Sequence, residues 1–448
     1  MRTLIRNVTA ITLDDEDRIL PNVDIAIEDA RIVDIGSDPV FPRSRVYTTA
    51  EVIDGRDMVA LPAFFNAHTH AAMTLERGWA EDLPFERWLD EKIWVAESAL
   101  EEEDVYWGAA LACCEMLRAG VVGFADHYFW MDQTARAVEE SGMKALLAWC
   151  HFGIGTEHEL GGKTLEETVA FAERWKGAAK GRIRTTMGPH STYMDPPEVL
   201  RRFAEEARRV GVGAHFHLSE SHAQVERSIE RHGETPVALA GSLGLLDLPE
   251  PTLVAHCNVA TDDDLALLAD KGTWVAHTPK TYQKLAMEMP PVARMLARGV
   301  KLALGTDGPA SNSDLNMLEV MRAMGLAQKD AQKDSEAMPR TQLLRLATQA
   351  PAAAMGFAES GVLAPGRPAD VILIDTTAAH WIPRHDLAAG VVYTAHPGDV
   401  AFVWCDGKLL YRRGQYQTLD VERIRYEAER RAFRMVGKPM RQVRAYRA

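Results

Sequence analysis

Eight times in succession this chain writes a short apolar run and follows it with a segment of helical period. The runs are MVALPAFFN, VVGFADH, KALLAWC, IRTTMG, VGAHFHL, PTLVAH, GTWVAH and VKLALGTD. Near-continuous apolar strands need cover on both faces, and parallel strands need a crossover long enough to hold a helix. The intervening segments meet both needs: EEEDVYWGAALACCEMLRAG and PPEVLRRFAEEARRVG are amphipathic at a period near 3.6. The pattern predicts an α/β chain whose body, residues 61–361, is a (β/α)8 TIM-like barrel.

The two ends have a different texture. VDIAIEDARIVDIG near the start, and GVLAPGRPADVILID and DVAFVWCDGKLLYRRGQY near the finish, read as short strands joined by tight turns. Neither end holds enough strands to bury a core, so residues 1–60 and 362–419 are expected to form one discontinuous small β-sandwich. Residues 420–448 read as a C-terminal helix and tail, locally basic with nine Arg/Lys against four Asp/Glu.

A net charge of −14 argues against nucleic acid or an anionic membrane as partner. Five cysteines without a C-x-x-C exclude a disulfide framework and suit a reducing compartment. MRTLIRNVTAITLDDEDR lacks the apolar core of a signal peptide, and no apolar run reaches membrane-span length. The expected location is the cytoplasm.

In a barrel of this kind the chemistry sits at the C-terminal ends of the strands. The residues that close the runs are His68 and His70, then His127, Cys150-His151, His190, His215 and His217, His256, His277 and Asp307. Of the 15 histidines, only His222 and His232 read as helix-surface residues within the eight units. His68 and His70 share one side of a strand because side chains alternate. With a histidine of HFHLSE and Asp307 of LGTDG they offer three nitrogens and a carboxylate, which suits one divalent ion. The donors alone do not choose among zinc, iron, nickel and manganese. A binuclear centre would want a bridging Lys or Glu on the fourth strand, and IRTTMGPH has neither. Taken alone, Asp307 would be a turn residue; three converging histidines make it a ligand. A metal of this kind lowers the pKa of bound water to ~7. Glu220, three residues past His217, is placed to carry the proton, and His256 to orient the nucleophile or stabilise charge.

At these residues the chain resembles the amidohydrolase superfamily, and within it the branch of 5-methylthioadenosine/S-adenosylhomocysteine deaminases and triazine hydrolases. The matching stretches are NAHTHAAMTLERGWAEDLPFERWLDEKIWVAE, GPHSTY, HFHLSES, VAHCN and LGTDGPASNSDLNM. The resemblance implies that His68, His70, His217 and Asp307 hold the metal, zinc first, with Glu220 as proton shuttle and His256 beside the nucleophile. Asp307 would also take a proton from it. Trp88 would pack on the ring or ribose, Glu97 would bind ribose hydroxyls, and His190 and Ser311 would face the substrate.

The expected function is a metal-dependent hydrolytic deaminase acting on a small-molecule heterocycle, an adenosine-type thioether nucleoside first. Guanine, pterin or triazine rings, with chloride as an alternative leaving group, follow. A cyclic amidase and a non-catalytic barrel rank below these. HTPKTYQKLAMEM, residues 277–289, departs from the family pattern and sets Lys280, Thr281 and Tyr282 beside the expected pocket. The apolar face of MLEVMRAMGLAQ is available for a homo-oligomer contact or for the barrel wall.

Overall fold

The computed structural model describes residues 2–37, 50–151 and 164–437; the expected tail beyond residue 437 lies outside the described residues. Eight buried strands run through the body: β1 (Phe64–Thr69), β2 (Val121–Tyr128), β3 (Lys144–His151) and β4 (Ile183–Pro189), then β5 (His215–Leu218), β6 (Leu253–His256), β7 (Trp274–His277) and β8 (Lys301–Leu304). They pair in chain order as two four-stranded parallel sheets, β1–β4 and β5–β8. Single bridges, Met187 to Ala214 and Ser191 to His217, link β4 to β5. On the other side the Asp307 amide donates to the His68 carbonyl at 2.9 Å, which ties the end of β8 to β1.

Helices follow most strands, and local chemistry fixes their ends. The helix Pro197–Val210 starts with proline, whose missing N–H costs nothing in a first turn, and stops at Gly211 with φ +73°. The helix Asp262–Asp270 is closed by a reciprocal Thr261–Asp264 capping box. Leu200, Phe203, Ala204 and Ala207 show why the first of these packs: they form one stripe, and all are buried. The helix Met317–Gln332 buries Met317, Leu318, Met321 and Met324 within the chain itself. The apolar face considered for a subunit contact is therefore consumed by the fold, leaving Leu326 exposed.

Both chain ends meet in one nine-stranded sheet, in which Met58–Pro62 pairs antiparallel with Val371–Asp375. That sheet has its own apolar cluster, including Ile5, Ile25, Ile27, Leu373, Phe402 and Trp404. Its junction with the body is apolar, through residues such as Ile372, Ile374, Val400 and Val403, and holds one saturated polar cluster. Lys144, at the start of β3, lies 2.6 Å from Asp370 and 2.8 Å from Asp406. The Ser360 hydroxyl donates to the same Asp370 carboxylate at 2.6 Å. The helix Val421–Met435 docks on Glu102–Arg118 through Arg431, whose guanidinium lies 2.9 Å from buried Asp104. Among the described residues no helix is long and apolar enough to cross a membrane.

Candidate metal centre and active site

The pleat of β1 points His68 and His70 to one side, and the end of β5 brings His217 to meet them. One ligand atom from each of the three lies within 4.8 Å of the others. His70 Nε2 and His217 Nε2 are 3.3 Å apart, and Asp307 Oδ1 is 3.4 Å from His70 Nε2 and 3.6 Å from His68 Nε2. Ligand nitrogens at 2.0–2.1 Å from a tetrahedral ion should stand about 3.3–3.4 Å from each other, so the spacing fits a zinc-sized ion.

The opposite ring nitrogens explain why these faces converge. His68 Nδ1 meets His215 Nε2 at 2.7 Å, His70 Nδ1 donates to the His127 carbonyl at 2.6 Å, and His217 Nδ1 donates to the His190 carbonyl at 3.1 Å. Each contact commits Nδ1 and turns Nε2 inward, the usual outer support of a histidine ligand. His68 Nε2 is buried without a hydrogen-bond partner. An orphaned buried acceptor costs about 1–3 kcal/mol unless something else binds it, and an ion is the partner this geometry suits.

Asp307 reaches the centre on a strained turn, with φ +67°. A side chain at Gly305 would place its Cβ 2.7 Å from the His68 amide, and one at Gly308 would meet Met73 sulfur at 2.6 Å. The two glycines of LGTDG thus permit the close approach of β8 to β1. Asn66 holds Thr306 by two bonds, of 2.7 and 2.9 Å, and the Gly308 amide donates to Asp307 Oδ1 at 2.8 Å.

The electrostatics separate the histidines. Burial, reinforced by neighbouring rings, lowers His68 to about 4, and burial depresses His217 well below the usual range. Both are neutral at neutral pH, the form that binds a metal. His70 moves the other way: burial opposes protonation, but Asp307 outweighs it. Burial would raise Asp307 too, yet the adjacent rings of His68 and His70 hold it well below the ordinary carboxylate range. The centre therefore keeps its anion and asks for positive charge.

Beside it, Glu220 Oε1 lies 3.6 Å from His256 Nε2, and Gln224 donates to Glu220 Oε2 at 3.3 Å. Burial raises the Glu220 pKa, with His256 opposing. Tyr282 orients His256. Its phenol oxygen accepts from the Thr278 amide at 3.1 Å and lies 3.2 Å from His256 Nδ1. When the phenol donates in that bond, the proton of His256 sits on Nε2, facing Glu220. His256 and Cys257 are both left-handed, at φ +78° and +52°, so this corner stores strain.

A cavity of about 620 Å³ opens on these groups. Trp88, Glu97, His190 and Ser311 all line it, with His70, His217, Glu220, His256 and Asp307. His68 stands behind, fully buried. Lys280 does not face the cavity. It pairs with Asp314 at 2.6 Å and Glu319 at 2.9 Å, so the unusual loop adds no free cation to the pocket, and only Thr281 of Lys280-Thr281-Tyr282 lines it.

The structure adds roles and residues that sequence reasoning did not assign. His215, read only as a residue closing its strand, backs His68. Glu76 and Glu97 flank Tyr128, whose phenol donates to Glu76 Oε1 at 3.4 Å. Both acids are buried. Burial raises Glu76 well above its usual value, with the charge of Glu97 adding to the effect, and burial lifts Glu97 to about 7. An acid closing the fully buried AAMTLE turn is the clue to Glu76.

Residues 59–410 match the amidohydrolase family. A 5-methylthioadenosine/S-adenosylhomocysteine deaminase of Dictyoglomus thermophilum is 43% identical, over 98% of this chain and 100% of its own length. The enzyme of the same name from Moorella thermoacetica is 45% identical over 91% of this chain and 94% of its own. Among solved structures, an adenosine deaminase from Xanthomonas campestris with bound zinc superposes with a TM-score of 0.89 at 28% identity, covering 97% of this chain and 98% of that one. The zinc complex of atrazine chlorohydrolase from Arthrobacter aurescens gives 0.87 at 25% identity, covering 96% of this chain and 100% of that one.

Proposed function

This chain belongs to the amidohydrolase family, and on that premise we propose that it is a zinc-dependent hydrolytic deaminase of adenosine-type thioether nucleosides, the 5-methylthioadenosine and S-adenosylhomocysteine class. One observation carries the reading: three imidazole nitrogens and a carboxylate converge at ligand spacing in a cavity that also holds a buried Glu220, whose pKa burial raises. The names of the relatives, at 43% and 45% identity, support the substrate class.

His68, His70, His217 and Asp307 would hold the ion. When bound, the ion acidifies water and so provides a nucleophile near neutral pH. The rest is the work of this chain's own side chains. Asp307, kept ionised, accepts a proton from the attacking water. Glu220, whose pKa burial raises, protonates the ring nitrogen as oxygen adds to the carbon bearing the amine. A second transfer gives the departing amine its proton, so water and an aminopurine yield an oxopurine and ammonia. His256, held by Tyr282, presents Nε2–H to the nucleophile and to Glu220. Trp88 packs on the base or sugar, Glu97 accepts from ribose hydroxyls, and His190 and Ser311 contact the ring.

The bridges at both seams support reading β1–β8 as one closed barrel over residues 61–361. The apolar cluster of the nine-stranded sheet supports a discontinuous sandwich of residues 1–60 and 362–419. Five free, buried cysteines support a reducing, cytoplasmic setting.

A panel of S-adenosylhomocysteine, methylthioadenosine, adenosine, guanine, a pterin and melamine tests the proposal, with ammonia release measured on metal-quantified protein. Release from the thioether nucleosides, lost on chelation and restored by zinc, is the expected result. A preference for melamine, or chloride release from atrazine, would favour the second reading, a triazine hydrolase, suggested by the chlorohydrolase likeness.

A further inference from the structure

The inward rows of side chains that reach the catalytic cavity have a second end. Alternation puts every other residue of a strand on the same side. At the C-terminal ends of β3, β4 and β5 those rows supply Cys150, His190 and His217 to the catalytic cavity. Nearer the N-terminal ends the same rows supply Leu146, Arg184, Thr186 and Gly213 to a separate cavity of about 710 Å³. Leu146 and Arg184 are register partners on β3 and β4. The alternate rows face the helices instead: the Thr185 hydroxyl donates to the Ala172 carbonyl at 2.8 Å, and the His151 ring packs on Phe203 at 5.3 Å. The separate cavity therefore lies at the floor of the body, away from the metal centre.

Layers of branched apolar side chains ordinarily fill the interior of such a fold. Here the floor holds two polar groups with nothing to bind. Among the described residues the Arg184 guanidinium makes no hydrogen bond and no ion pair; it lies over the Phe357 ring at 5.1 Å, and its Nε is buried without a partner. Gly356, at φ +81°, leaves room for it, since a Cβ there would stand 2.8 Å from Arg184 Nη1. Two residues further along the same row, Thr186 is 3% exposed and its hydroxyl has no partner either. Lys144, the other cation against Phe357, is neutralised by Asp370 and Asp406. Arg184 has no such acid: Glu250 lines the cavity too, but it is exposed and makes no ion pair with Arg184. Lys176 also lines the cavity, its ammonium anchored on the Val210 and Gly211 carbonyls at 2.8 Å each. A guanidinium presents its N–H groups as a fixed fork that matches two oxygens of a carboxylate or phosphate.

We propose that this floor cavity is a binding site for a small oxyanion, a phosphate or a carboxylate, held by the Arg184 fork and the Thr186 hydroxyl. It needs neither the metal nor the nucleoside. Because the unfolded chain has no such site, an occupant stabilises the folded state in proportion to its binding.

Thermal unfolding of the zinc-loaded protein tests it, in sodium phosphate and in sodium acetate, each against sodium chloride at equal ionic strength. Wild type, Arg184→Gln, Arg184→Lys and Thr186→Val are compared, each with its own chloride baseline. The expected result is a saturable rise in Tm for wild type with at least one of the two anions. The half-saturating concentration should rise about tenfold or more in Arg184→Gln, and by a smaller factor in Arg184→Lys and Thr186→Val. The anion that half-saturates at the lower concentration identifies the preferred oxyanion. Phosphate bound at the zinc instead would stabilise wild type and Arg184→Gln alike, and that result overturns the site. A rise that chloride reproduces, or no rise with either anion, overturns it as well. Should Arg184→Gln fail to fold, the near-isosteric Thr186→Val decides: half-saturation unchanged from wild type rejects the site.

Discussion

Two sets of buried polar groups in this molecule are treated in opposite ways. Where the nine-stranded sheet meets the body, Lys144, Asp370, Asp406 and Ser360 satisfy one another within 2.6–2.8 Å. At the opposite ends of the strands, His68 Nε2, His127 Nδ1, His215 Nδ1 and Glu76 Oε2 are buried with no hydrogen-bond partner. A fold that can satisfy a buried lysine can satisfy a histidine. Of the unpaired atoms, His68 Nε2 faces the carboxylate and imidazoles of the candidate metal centre, whereas the saturated cluster holds two parts of the chain together.

Substitutions can break that contrast. Glu220→Gln keeps shape and removes the movable proton; kcat should fall by about 10²–10⁴ while metal content, measured by elemental analysis, stays the same. Lys144→Met should do the reverse. Leaving Asp370 buried and unpaired costs about 3–5 kcal/mol, which urea unfolding would register, while kcat per folded molecule is retained. Adding Asp370→Leu to that variant should recover much of the loss, because the buried charge goes with its partner. His215→Phe removes only the support behind His68, and zinc affinity in a competition titration should drop about 10–100-fold.

The smallest expected effect sharpens the picture of the sugar end. Glu97 is held up at about 7 by burial, against the lowering effects of Tyr128 and His70. Above that pH it is a carboxylate, which on the proposed function would accept from two ribose hydroxyls; below it the carboxyl takes up a proton and would lose part of that capacity. KM for methylthioadenosine should therefore rise as pH falls from 8 to 6, by about tenfold at most. Glu97→Gln, which has no charge to lose, should flatten that dependence, and a shape of the KM–pH curve unchanged by the substitution would remove Glu97 from ribose binding.

The sequence alone carried the eight β-then-α units, because burial on both faces forces apolar strands and crossover helices that are visible as periodicity. It also carried His68, His70 and Asp307, because alternation along β1 and the paired glycines of LGTDG are local facts. Contacts between distant segments were beyond it. Only the folded chain decided that Tyr282 holds His256, that His215 backs His68 and that Lys280 spends its charge on Asp314 and Glu319. The same holds for the Met317–Gln332 face, whose apolar stripe reads identically whether it covers a strand or a second subunit. Periodicity records which side of an element avoids water. Which partner covers that side, and which proton a buried ring keeps, are set by distances between residues far apart in the chain, and those exist only once it has folded.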